Sequence, residues 1–129
     1  MGFFNTNLKV ILSSLAVAVV LFWSVSSGIS KGKQMAQAQT VVATANSLSA
    51  GLQYFYSDQD RFPTALEFSD PSLMLNYFSS FPPPDFISTA CSQSYIYKRI
   101  STSNFNLSFC LPVAYGNYNS GWNGINEQK

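Results

Sequence analysis

The sequence predicts an α+β fold in which a long N-terminal helix packs on a small antiparallel β-sheet. Three features predict it: an uncharged apolar segment near the start, a helical apolar pattern after it, and a later stretch of alternating apolar residues. With 129 residues, the chain has room for one small core. Its eleven Phe and seven Tyr indicate a folded protein rather than a disordered one.

The apolar segment runs from Val10 to Ile29 without an ionisable side chain. At about 1.5 Å rise per residue, such a helix matches a hydrocarbon core of roughly 30 Å. Residues 1–30 are therefore predicted to form a transmembrane helix. The alternative is a cleaved secretory signal, whose apolar region would be shorter and would end at a small-residue cleavage site.

A periodic pattern follows the basic break at Lys31 and Lys33. The apolar residues recur at steps of three and four, namely Met35, Ala38, Val42, Ala45, Leu48, Leu52 and Phe55. This spacing predicts an amphipathic helix over residues 31–57 with one apolar face. Because no proline lies between Leu8 and Ser57, the membrane and amphipathic halves are expected to be continuous.

A loop region is predicted over residues 58–93, in which Thr64–Phe68 and Pro71–Phe78 are candidates for a short helix or turn. The helix is expected to end near Ser57–Asp60, because Phe62 precedes a proline and that position disfavours helical backbone. Further on, Pro82–Pro84 favours extended backbone.

A β-hairpin is predicted over residues 94–111, with strands at Tyr95–Ile100 and Phe105–Leu111. The face expected to pack on the helix carries Phe105, Leu107, Phe109 and Leu111. The register is open, since a shift of one residue would exchange the faces of Tyr95 and Ile96. The turn-rich tail, residues 112–129, is a candidate for the third strand that so small a sheet needs.

Cys91 and Cys110 are the two cysteines of the chain, and there is no histidine to complete a metal site with them. The simplest interpretation is a disulfide formed in an oxidising compartment; the alternative is two free thiols in a cytosolic domain. With the disulfide, the protein is expected to be a single-pass membrane protein whose domain of residues 31–129 faces outward.

The residue inventory offers little for catalysis, so no enzyme activity, cofactor or metal site is expected. Lys98 beside Arg99 is interpreted as a solvated strand edge rather than as a serine-lysine base. The acidic residues Asp58, Asp60 and Asp70 are interpreted as helix-end and turn carboxylates rather than as an acid pair or a cation site.

Two aromatic groups are candidate binding surfaces. Tyr95, Tyr97 and Arg99 could stack on single-stranded nucleic acid, but a net charge of +1 supplies little attraction, so strand packing is favoured and nucleic acid is not an expected partner. The second group lies among Asn and Gly in the tail and consists of Tyr115, Tyr118 and Trp122. It is a candidate for recognition of a carbohydrate, a host surface or a neighbouring subunit, and the alternative is a self-packing loop.

The order of these parts resembles type IV pilins and the pseudopilins of type II secretion. Leu52–Pro63 is similar to the family's helix-end pattern of a leucine, an aromatic pair, a polar turn and an aromatic-proline pair. Phe81–Asp85 resembles the connection before the family's sheet, and Tyr95–Tyr97 with Phe105–Leu111 resembles its paired strands. The resemblance implies a structural subunit of a type IV pilus-like surface filament, stored in inner-membrane lipid and extracellular once assembled with copies of itself and related pilins.

The resemblance also assigns roles near the N-terminus. Gly2 and Phe3 form a candidate prepilin peptidase site. The family's acidic fifth residue is absent, because Asn7 stands there counting from Phe3 and Asn5 counting from Met1. The helix residues assigned to filament assembly are Val10, Leu15, Ala18, Leu21, Phe22 and Val25.

One further expectation follows from the resemblance, and one alternative to the filament function stays open. The calcium loop of major pseudopilins is not expected, because Glu127 is the one carboxylate side chain between Leu111 and Lys129. The alternative function is a signal-anchored monomeric surface module for binding or adhesion.

Overall fold

The computed structural model describes the backbone of residues 3–129 and the side chains of residues 30–129. It divides into two units, Met1–Lys33 and Gln34–Lys129. The side chains of the predicted transmembrane segment Val10–Ile29 lie outside the described residues. In the part of the chain that is described, no helix combines the length and apolar character needed to cross a membrane.

The elements in chain order are helices α1 (Phe3–Gln59), α2 (Ala65–Phe68) and α3 (Pro71–Met74), then strands β1 (Tyr95–Ser101), β2 (Asn104–Leu111) and β3 (Gly121–Gln128). The strands form one antiparallel sheet in the order β1-β2-β3. The predicted α+β arrangement of a helix packed with a small antiparallel sheet is confirmed. The region predicted as a loop contains α2 and α3, and the tail contains β3.

α1 ends at a left-handed residue. Asp60 has φ 54°, and its N–H donates to the Tyr56 carbonyl at 2.8 Å, which closes the last turn. The Phe62 N–H then donates to the Thr102 carbonyl at 2.8 Å. This bond joins the segment after α1 to the turn between β1 and β2.

The buried face of α1 carries six apolar residues, Ala38, Val41, Ala45, Leu48, Leu52 and Phe55. Five of these six residues belong to the face predicted from the sequence. The prediction differs from the structure at Val42 and at Met35. Val41 is buried and Val42 only half-buried, because Val41 continues the alternating steps of three and four from Ala38. Met35 is 47% exposed, because the helix residues that pack with Phe109 and Leu111 begin at Ala38.

The inner face of β2 carries Phe105, Leu107, Phe109 and Leu111, all fully buried as predicted. In β1, Tyr95 pairs with Phe109 and Tyr97 with Leu107. Residues paired across antiparallel strands share a face, so both tyrosines lie on the core side and Ile96 faces outward.

Candidate functional surfaces

The disulfide joins Cys91 to Cys110, which are 19 positions apart in sequence and have Cα atoms 5.7 Å apart. Both cysteines are buried. The predicted bridge is thus confirmed. It ties the segment before β1 to the central strand β2.

The group of Tyr95, Tyr97 and Arg99 on β1 connects this strand to the segment after α1. It does not offer a free stacking surface. The Tyr97 hydroxyl donates to the Pro63 carbonyl at 2.7 Å, and Arg99 Nη1 donates to the Phe62 carbonyl at 3.2 Å. The Tyr97 ring stacks on Phe68 with centroids 4.3 Å apart, and burial raises the pKa of Tyr97 above its usual value. These contacts favour strand packing over nucleic-acid binding.

Asp58 and Asp70 have different hydrogen-bond partners. Asp58 accepts hydrogen bonds from the Tyr77 hydroxyl at 2.6 Å and from Gln59 Nε2 at 2.9 Å, and these two bonds lower the pKa of its carboxyl group. Asp70 caps α3 by accepting from the Ser72 N–H at 3.0 Å, and its bonds to Ser72 likewise lower its pKa. Within the described part of the chain, no group of three or more His, Cys, Asp or Glu side chains is placed to hold a metal ion.

An ion pair after α1 was not predicted from the sequence. Arg61 donates to both carboxylate oxygens of Glu67, at 2.8 and 3.0 Å, and its guanidinium lies 5.6 Å from the Phe55 ring centroid. The hydrogen bond from Arg61 lowers the pKa of Glu67. The sequence does contain a signal for the helix that carries Glu67, namely the capping-box pair Thr64 and Glu67. In the structure, the Thr64 hydroxyl accepts a hydrogen bond from the Glu67 N–H. The contacts fasten α2 to the end of α1, which is a structural role.

The three tail aromatics do not form one surface. The Tyr118 ring meets Phe109 edge-on, with centroids 5.0 Å apart, and Tyr115 exchanges two backbone hydrogen bonds with Tyr118, each 3.0 Å long. Both tyrosines pack against the buried cluster around Phe109 and Leu111. Trp122 lies opposite Cys110 on the outer face of the sheet and is 46% exposed.

Polar side chains flank Trp122 on that outer face. Ser108 Oγ donates to Asn106 Oδ1 at 2.8 Å, and Asn106 Nδ2 donates to Asn126 Oδ1. The sequence predicts that Asn106 and Ser108 point outward, but the partnership with Asn126 depends on the register of β3. No local signal in the tail fixes that register.

A groove of about 510 Å³ lies between α1 and the segment after α3. Small residues line its helix side, including Ala43, Ser47 and Gly51, and Phe78 and Pro83 lie on the other side. A Cβ atom at Gly51 would overlap the Phe78 ring. The groove lining contains hydroxyl groups but no His, Cys, Lys, Arg or carboxylate side chain, so these residues supply no acid-base pair.

The candidate peptidase pair Gly2–Phe3 and the six assembly residues from Val10 to Val25 lie outside the residues whose side chains are described. They stay predictions. No protein-family model, no curated protein and no solved structure matches this chain.

Proposed function

We propose that this protein is a structural subunit of a type IV pilus-like surface filament that assembles through its hydrophobic N-terminal helix. The observation that carries the proposal is the contrast between the two parts of α1. Its second part buries a face under the sheet within the unit Gln34–Lys129, whereas the uncharged sequence Val10–Ile29 belongs to the unit Met1–Lys33. An uncharged segment of about 20 residues needs an apolar environment. Lipid supplies it before assembly, and copies of the same helix supply it in a filament.

The structure of the unit Gln34–Lys129 also supports this proposal. A helix face, a three-stranded sheet and one disulfide make a small head, and the segments that resemble pilins lie at the end of α1, in the connection between α3 and β1, and along β1 and β2. The subunit needs no bond-making chemistry, cofactor or metal for this role. The disulfide favours an oxidising compartment, so the head faces outward from the inner membrane and becomes extracellular on assembly.

Electron microscopy of sheared surface material, with mass spectrometry of its N-termini, tests the proposal. We expect filaments that contain this chain, with Phe3 as the first residue after cleavage behind Gly2. The proposal fails if the protein stays monomeric in native membrane extracts and no filament contains it.

A bulky substitution separates assembly from anchoring. Ala18→Phe keeps the segment apolar but adds bulk where helices would pack, so it should reduce filament yield and leave the amount of protein in the membrane unchanged. The matched control is Ala65→Phe, which adds the same side chain at an exposed position of α2. If Ala18→Phe assembles as well as the control, the helix acts as a simple anchor for a monomeric surface module.

A further inference from the structure

The outer face of the sheet presents an exposed tryptophan in line with short polar groups. On β3, Trp122, Gly124 and Asn126 alternate outward, and they span about 13 Å at roughly 3.3 Å per residue. Their partners on β2 are Cys110, Ser108 and Asn106, in the same order. An indole ring, two amides and one hydroxyl therefore lie on the same face of the sheet, where Trp122, Gly124 and Asn126 are exposed and Ser108 and Asn106 are half-buried.

The hydrogen bonds within this row leave groups free for a ligand. The chain of bonds runs from Ser108 Oγ to Asn106 Oδ1 and from Asn106 Nδ2 to Asn126 Oδ1. Among residues 30–129, Asn126 Nδ2 donates no hydrogen bond, and Asn126 is exposed. Each amide offers two donors and a carbonyl acceptor, and a hydroxyl offers both. The row thus keeps unused donors and acceptors that face solvent.

Gly124 leaves a shallow space between the indole and the amides. A Cβ atom built at this position meets just one atom within 4 Å, Asn106 Nδ2 at 3.6 Å. The backbone of Gly124 has an ordinary conformation, so the glycine is not needed for a turn. No side chain therefore covers the sheet at the position next to Trp122 on the outer face.

The low charge of the outer face favours a neutral ligand over a charged one. Lys98, paired with Asn106 across β1 and β2, is the one charged residue among the outward positions of the three strands as described. A nucleic acid strand would require several cations, whereas a neutral polar ligand requires none. Indole faces stack on apolar ring surfaces, and amides pair with hydroxyl groups.

We propose that this face binds neutral saccharides of two or more units, with Trp122 stacking on one sugar ring and Ser108, Asn106 and Asn126 bonding to hydroxyls of that ring and of the next one along the strand. The activity goes beyond the filament role and does not depend on it. A monomer has the complete face, because all four side chains belong to one chain.

The test uses the full chain in dodecylphosphocholine micelles, which carry no sugar headgroup. All samples contain Trp23→Phe, so that the indole N–H signal in a ¹⁵N correlation spectrum belongs to Trp122. Lactose, maltose and diacetylchitobiose are titrated separately. We expect a saturable shift of the Trp122 signal with at least one of them.

Two variants test the assignment. Trp122→Ala, followed by backbone amide signals, should weaken binding by about tenfold or more, because it removes the stacking surface. Gly124→Val keeps Trp122 and suits a strand, but it fills the space beside the indole and should weaken binding similarly. Lys98→Ala should leave the affinity for a neutral sugar unchanged.

Three results would overturn the proposal. The first is the absence of a shift with all three sugars. The second is binding that survives both Trp122→Ala and Gly124→Val in folded protein. The third is a Trp122 signal that moves with protein concentration and not with sugar, which would identify the face as a contact between copies of the chain.

Discussion

At the scale of single residues, Asp60 has an unfavourable backbone. It adopts φ 54°, a region in which an L side chain costs about 1–2 kcal/mol relative to the right-handed helix. Glycine has no such cost, although it gains more freedom on unfolding. We therefore expect Asp60→Gly to raise the free energy of unfolding by about 0.5–1 kcal/mol, measured by denaturant titration of the full chain.

The matched control is Ser57→Gly, one turn earlier inside α1. Replacing serine by glycine in a helix should lower the free energy of unfolding by about 0.5 kcal/mol. If the two substitutions destabilise the protein equally, the Asp60 side chain makes a stabilising contact that outweighs its backbone cost.

The buried hydroxyl of Tyr97 is expected to make the free energy of unfolding depend on pH in the alkaline range. Burial raises its folded-state pKa above the usual value of 10.0, so folding favours the neutral hydroxyl. The associated stability is fully present below about pH 10 and is lost as the pH rises above it. Tyr97→Phe should remove this loss, and at neutral pH it should cost about 1 kcal/mol through the lost bond to Pro63.

The measurement is the free energy of unfolding from neutral pH to pH values above 10. Tyr54→Phe is the control for removing a phenol hydroxyl at the surface, because Tyr54 is 60% exposed. An identical slope in wild type and Tyr97→Phe would count against burial of the hydroxyl.

The inner face of β2 could be predicted residue by residue, whereas the partners of the side chains that lie next to it could not. The alternation from Phe105 to Leu111 fixes the inner face once a strand is assumed. The bond from Arg99 to the Phe62 carbonyl joins residues 37 positions apart. No periodic pattern specifies that pairing, because it depends on how the chain returns after α1.

At the scale of elements, Gly51 lets the segment after α3 approach α1. The Phe78 N–H bonds to the Met74 carbonyl at 2.9 Å, and the ring lies where a Cβ of residue 51 would be. Gly51→Ala gains about 1 kcal/mol of helix propensity but forces the buried ring to move, at about 1–3 kcal/mol. We expect a lower melting temperature for Gly51→Ala.

Gly32→Ala is the control for the helix contribution, since nothing lies within 4 Å of its added Cβ. It should keep or increase the helical signal in circular dichroism. Adding Phe78→Ala to Gly51→Ala should remove most of the clash, which a double-mutant cycle would detect as coupling. Additive effects of the two substitutions would mean that the ring yields without cost.

The short helices and β3 show why elements differ in how well sequence predicts them. Thr64 with Glu67, and Asp70 before Pro71, are local capping signals for α2 and α3. β3 contains two large apolar residues, Trp122 and Ile125, among Gly, Asn, Glu and Gln. Its strand is specified by pairing with β2 more than by its own propensity.

At the scale of the whole molecule, the helix face and the sheet depend on each other. Two strands alone are marginal in water, and the apolar face of α1 would otherwise meet solvent. The buried residues of both elements form two clusters, one around Phe55 and Phe105 and one around Ala45 and Phe109. The sequence predicts the apolar face of α1 and the inner face of the sheet. How these two faces pack together depends on the register of the three strands.

The disulfide stabilises this small core through the unfolded chain. Cys91 and Cys110 close a loop of 19 positions that contains all of β1, worth about 3 kcal/mol on a chain-entropy estimate. Since domains of this size have only about 5–15 kcal/mol in total, complete reduction should lower the melting temperature by on the order of 10 °C. The double variant Cys91→Ser/Cys110→Ser should melt near the reduced protein and show no further change with reductant. An unchanged melting temperature after complete reduction would mean that the contacts of β1 with β2 and α2 hold the hairpin without the bridge.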